Sequence, residues 1–102
     1  ENSTVMAPVK APLEAPVRYL APELGPDGIR VHAVSPGPIR TRAASGLAEF
    51  DALLDDATSR APAHQLASIE DVGYATAMLC TDHARLLTGS TLYVDGGYHI
   101  MN

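Results

Sequence analysis

The chain has 102 residues, is 46% hydrophobic with only 5% aromatic residues, and carries a formal charge of −5. One domain at most fits this length, and its core must be built from Ala, Leu, Val and Ile. The acidic balance, with no Lys/Arg-rich tract, excludes a nucleic-acid footprint and attraction to an anionic membrane surface. No apolar run is long enough to span a bilayer, and the first residues do not resemble a signal peptide.

The first segment is helical by period. Met6, Val9, Leu13, Val17, Leu20 and Leu24 recur at three- and four-residue steps and form one apolar stripe. Lys10, Glu14 and Arg18 stand four apart on another face, giving two possible ion pairs. Pro12, Pro16 and Pro22 oppose the pattern, since an interior proline removes a donor and clashes with the carbonyl four residues back, at about 3 kcal/mol each. The expectation is a kinked or interrupted helix, ended by the GPDG sequence at Gly25 to Gly28.

Ile29 to Val34 reads as a strand, nearly continuous in apolar or β-branched residues, as in a sheet covered on both faces. It runs into the loop SPGPIRTRAASG, Ser35 to Gly46, and then into helical sequence. In open α/β sheets, ligands bind in the crevice beyond the carboxyl ends of the strands, so this loop is a candidate site. Leu47, Phe50, Leu54 and Ala57 repeat at helical spacing, with Glu49, Asp51, Asp55 and Asp56 outside them. Those carboxylates lack a companion His and read as a solvated face; no metal site is expected.

Ser68 and Asp71 form a capping-box-like pair at the start of a further helix, whose apolar face is Val72, Ala75 and Leu79. Cys80 is the sole cysteine and reads as a small buried hydrophobe; a lone thiol suits a reducing cytoplasm. The pattern loosens over Asp82 to Leu87 and turns at Thr88-Gly89. Ser90 to Val94 is a second strand, closed by Asp95-Gly96-Gly97. His32 is read as a strand residue, His99 as a tail residue, and His64 and His83 as surface residues. Two strands joined by a helical crossover imply a parallel pair. The fold class is therefore α/β, the C-terminal part of a doubly wound Rossmann-type parallel sheet with two strands and flanking helices.

Three stretches now resemble one family. The run from Val5 to Gly46 with Lys10 and GPIRTRAASG, then SIEDVGYATAMLCTD, then TLYVDGGYHI, is similar to NADH-dependent enoyl-acyl-carrier-protein reductases of the short-chain dehydrogenase/reductase superfamily. The DGG ending is shared across the superfamily; the Lys10 context, the GPIRTxAASG loop and IEDVG are specific to the enoyl reductases. The resemblance implies residues 1–102 as the C-terminal portion of a single reductase domain, with the N-terminal dinucleotide-binding half absent.

It also implies an activity in fatty-acid biosynthesis, hydride transfer from NADH to a trans-2-enoyl thioester on acyl-carrier protein. A fragment of this kind is expected to be inactive alone, and the full-length family to be homo-oligomeric, without a nucleic-acid or membrane partner. The family's catalytic pattern is a Tyr, six residues, then a Lys, which here falls on Ser3 and Lys10. A phenol, with a reference pKa of about 10, is long and acidic enough to reach the thioester carbonyl; the serine hydroxyl is neither. By the same resemblance Lys10 binds the nicotinamide ribose, Ile39 meets the carboxamide through its backbone, and Thr41 lies by the phosphates, with Arg40, Arg42 and Ala43 in the same cofactor stretch. Ala43, Ala44, Leu47 and Phe50 would line the acyl pocket.

The glycine-rich turn that holds a pyrophosphate is not among these residues, so NAD is expected to bind only together with the N-terminal half. Two other readings stay open. One is a different short-chain dehydrogenase acting on alcohols or ketones, although the wider superfamily places its Tyr four residues before Lys, which here is Met6. The other is a non-catalytic remnant or oligomerisation module.

Overall fold

The computed structural model describes residues 14–39 and 46–101. Its elements are a helix over 14–24 (α1), strand His32–Pro36 (β1), helix Ala48–Arg60 (α2), helix Ile69–Leu79 (α3) and strand Ser90–Val94 (β2), with short 3-10 turns between and after them. The strands form a two-stranded parallel sheet, the crossover running through α2 and α3. Two units can be distinguished, residues 14–33 with Leu79–Leu92, and Val34–Met78 with residues from Tyr93 onward.

In the first unit α1 is unbroken over 14–24, through Pro16 and Pro22, and the expected interruption does not occur there. Proline's fixed φ is itself helical, so what each loses is one amide donor and some steric room. Val17 is buried at the centre of the apolar stripe, Leu24 is half-buried, and Leu20 is exposed. Glu14 and Arg18 pair at 3.9 Å on the solvent side. The helix ends as GPDG predicts. A 3-10 turn, Gly25–Asp27, leads to Gly28 at φ 77°, where the Gly28 amide donates to the Gly25 carbonyl and the Ile29 amide to Leu24. This pair of bonds is a Schellman arrangement, and the left-handed residue at its heart favours glycine.

That cap also corrects the start of β1. Ile29 belongs to the helix end and is exposed. The Arg30 guanidinium leaves the strand to donate to the carbonyls of Leu79, Thr81 and Ala84. The Val31 amide donates to the Thr88 hydroxyl. The strand begins only at His32 and extends past Val34 to Pro36. Cys80 follows buried Leu79 and is exposed, contrary to the buried reading.

In the second unit α2 presents Leu54 and Ala57 inward, with Ala61 just beyond its end. Leu54 is fully buried. Leu47 lies outside this stripe; it precedes the first helical residue and is 59% exposed. Asp55 and Asp56 face solvent, and Asp56 pairs with Arg60 at 3.7 Å. The start of α3 is as read. The Asp71 amide donates to the Ser68 hydroxyl, while the Ser68 amide and hydroxyl donate to the Asp71 carboxylate at 2.9 and 3.0 Å. These bonds hold the Asp71 carboxyl below its ordinary value. Among the described residues no helix is long and apolar enough to cross a membrane.

Candidate functional site

Both strands of a parallel sheet end on the same side, and the chain leaves β1 and β2 through two glycine-containing loops, Pro36 to Ile39 and Asp95 to Gly97. Pro36 is the last residue of β1. The next amide, Gly37, donates to the Val94 carbonyl at 3.3 Å and so ties the first loop to the end of β2. A Cβ on Gly37 would lie 2.8 Å from the Cβ of Asp95, so only glycine lets the loops approach this closely. Ile39 follows, half-buried.

Asp95 is the one buried polar or charged residue among those described. Its carboxylate accepts from the Gly97 amide at 3.0 Å, the His99 amide at 2.9 Å and His99 Nδ1 at 3.0 Å. Burial pushes this carboxyl up, but the His99 ring together with the Gly97 and His99 amides outweighs burial and holds it below its ordinary value. The His99 ring stacks on Tyr93 with centroids 3.8 Å apart and planes within 6°.

Gly96 and Gly97 take positive φ, 63° and 89°, and pack against the segment that leaves α2. A Cβ on Gly97 would meet Pro62 at 2.9 Å, and the Ala63 amide donates to the Gly96 carbonyl. The Tyr98 hydroxyl donates to Asp56 at 3.2 Å. A cavity of about 470 Å³ opens beside this turn, lined in part by Leu66, Ala67, Tyr93 and Gly96.

Of the residues singled out from the sequence, Ile39, Leu47 and Phe50 are described, the first on the loop after β1 and the other two at the start of α2. Ser3, Lys10, Arg40, Thr41, Arg42, Ala43 and Ala44 lie outside the described residues. No group of three or more His, Cys, Asp or Glu is arranged to hold a metal ion among the described residues. The sequence reading missed the linkage of Asp95, His99 and Tyr93. Its signal was the four-residue spacing of Asp95 and His99, which the two intervening glycines made look like a loose tail.

A parallel strand pair with a helical crossover and glycine-bearing loops at the carboxyl ends of its strands defines a Rossmann-type α/β protein, and the similar solved structures are of that type. A family model described as Enoyl-(Acyl carrier protein) reductase matches residues 1–99. The chain belongs to this enoyl-(acyl carrier protein) reductase family. It is 46% identical, over 99% of its length, to a Bacillus cereus protein named enoyl-(acyl-carrier-protein) reductase (NADH) FabI, of which it covers 40%. The Escherichia coli strain K12 protein of the same name is also 46% identical, with 97% of this chain and 38% of that protein covered. The crystal structure of the Bacillus cereus enzyme with NADP+ and indole naphthyridinone superimposes with a TM-score of 0.89, covering 100% of this chain and 40% of that one. The chain thus spans about two-fifths of the length of the curated relatives it matches.

Proposed function

We propose that these residues form the C-terminal side of an NADH-dependent enoyl-acyl-carrier-protein reductase of fatty-acid synthesis, acting in the cytoplasm on acyl-carrier-protein thioesters. The observation that carries the proposal is the family match over residues 1–99, together with 46% identity to a relative named for that reaction.

The described part of the site is compatible with the cofactor. Gly37 carries no side chain, which lets the loop after β1 lie directly against Asp95. The Asp95 carboxylate is turned toward the Gly97 and His99 amides and the His99 ring. When bound, NADH would supply the hydride that adds to the β-carbon of the enoyl thioester. Lys10 would hold the ribose hydroxyls. The Ile39 backbone would orient the carboxamide, with Thr41 beside the phosphates and Arg40, Arg42 and Ala43 completing that stretch. Ala43, Ala44, Leu47 and Phe50 would give the acyl chain an apolar wall.

Ser3 stands at the position where the family carries its catalytic tyrosine. Its hydroxyl is shorter and much less acidic, so it does not replace the phenol that would reach the thioester carbonyl. A glycine-rich turn for the pyrophosphate must come from sequence outside these 102 residues, as part of the same Rossmann-type domain. The whole protein, on this reading, is a homo-oligomer.

The test is NADH consumption with a crotonyl-type thioester. The purified 102 residues are expected to show none. Consumption is expected once the chain is joined to the part of the Bacillus cereus relative that the match leaves uncovered, and it should fall when Lys10 is replaced by Ala. A joined protein that folds, binds NADH and is indifferent to Lys10→Ala would overturn the assignment.

A further inference from the structure

Asp95 and His99 lie outside every role assigned above, yet they form the most connected polar group of the described residues. The Asp95 carboxylate would be costly to bury alone. It is instead saturated by two amides and a ring nitrogen. The ring is itself fixed in plane by its stack on Tyr93, and offset or parallel aromatic stacking of this kind restricts rotation as well as burying area. Asp95 therefore has little freedom to move its Cα or Cβ. Those two atoms stand 2.8 Å and 3.5 Å from where a Cβ on Gly37 would be. The Gly37 amide is bound in turn to Val94, the residue before Asp95. A short chain of contacts thus runs from Tyr93 and His99 through Asp95 to the loop that carries Ile39.

We propose that Asp95 and His99 are positioning residues for the Pro36–Ile39 loop, His99 acting through the Asp95 carboxylate to fix where the peptide groups at Gly37 and Ile39 stand. The significance for cofactor binding rests on the reading of Ile39 given above; the positioning itself does not. Groups that orient a binding loop do so by removing alternative positions before the ligand arrives, which lowers the ordering cost at binding. The arrangement also fixes a tautomer. A neutral His99 must carry its proton on Nδ1 to donate to Asp95, leaving Nε2 as the acceptor.

The experiment uses the chain joined to the part of the Bacillus cereus relative that the match leaves uncovered, without cofactor. Nitrogen-15 spectra of the histidine rings should show His99 in the Nδ1-protonated form; the Nε2-protonated form would overturn the proposal, and this reading needs no variant. His99→Ala should shift the Gly37 and Ile39 amide signals and speed exchange of the Gly37 amide by about tenfold, the equivalent of one ordinary hydrogen bond. His99→Asn, whose amide nitrogen can stand where Nδ1 stands, should restore both, while His99→Leu should not. Unchanged Gly37 and Ile39 signals in a folded His99→Ala chain would overturn the proposal. So would equal behaviour of the Asn and Leu variants. Failure of the reductase reading leaves all of these signals unaffected, because no cofactor enters the measurement.

Discussion

Gly37 and Asp95 meet so closely that a single methyl group on the glycine would stand 2.8 Å from the Asp95 Cβ. The two residues follow the ends of β1 and β2, and the contact locks the loops beyond them together. The neighbouring atom is a Cβ and cannot swing aside as the end of a long side chain would. Gly37→Ala should therefore destabilise the chain by about 1–3 kcal/mol, the range for overpacking a filled site. Urea denaturation of the two forms checks this, and an unchanged midpoint would mean that the loops part without cost.

A second prediction concerns acid. The folded Asp95 carboxyl is more acidic than its ordinary value of about 4, so the unfolded chain takes up the proton first as pH falls. Its stabilising contribution is fully present above that value and is lost as pH drops through the folded value. Asp71 acts in the same direction through Ser68, but it is exposed and adds less. Stability should thus fall steeply only below about pH 4, and Asp95→Asn should flatten part of that slope. Thermal melts at a series of pH values give the comparison; an unchanged slope in the variant would assign acid sensitivity elsewhere.

Arg30 supplies a third. Its guanidinium collects three carbonyls around the end of α3, Leu79, Thr81 and Ala84. Arg30→Met keeps an apolar stem of similar length but removes the donors. The expected loss is about 1–3 kcal/mol, that of leaving partly buried carbonyls without a charged donor. Denaturant unfolding that is indifferent to the change would show that water serves those carbonyls equally well.

These residues also show what can be read from sequence. The start of α3 was legible because Ser68 and Asp71 bond to each other and to nothing distant. The end of α1 was legible for the same reason, with glycine supplying a local left-handed residue. The register of β1 was not, because Ile29 is held by the helix cap and Arg30 by carbonyls about fifty residues away. Burial was misjudged at Cys80 and Leu47, each standing at the margin of an apolar stripe where period alone does not say which side of the boundary a residue takes. Asp95 and His99 were not legible, since their meaning depends on Gly37 arriving from the other strand.

A fourth prediction is self-association. Each strand has one neighbour among the described residues, and Tyr19, Leu20, Ile29, Leu86 and Leu87 are exposed in the first unit. Unpaired strand edges and exposed apolar side chains favour contact with further copies. Sedimentation of the purified 102 residues should show oligomers or aggregates; a monodisperse, cooperatively melting monomer would contradict this.

The central proposal, that these residues form the C-terminal side of an enoyl-acyl-carrier-protein reductase with serine at the tyrosine position, is tested most directly at Ser3. The measurement is NADH-dependent reduction of a crotonyl thioester by the chain joined to the uncovered part of the Bacillus cereus relative, with Ser3 and with Ser3→Tyr. A positioned acidic hydroxyl contributes about 10²–10⁴-fold to such a step, so Ser3→Tyr should raise kcat by about a hundredfold or more, and Lys10→Ala should abolish the gain. Equal rates for Ser3 and Ser3→Tyr in a folded, NADH-binding protein would contradict the claim.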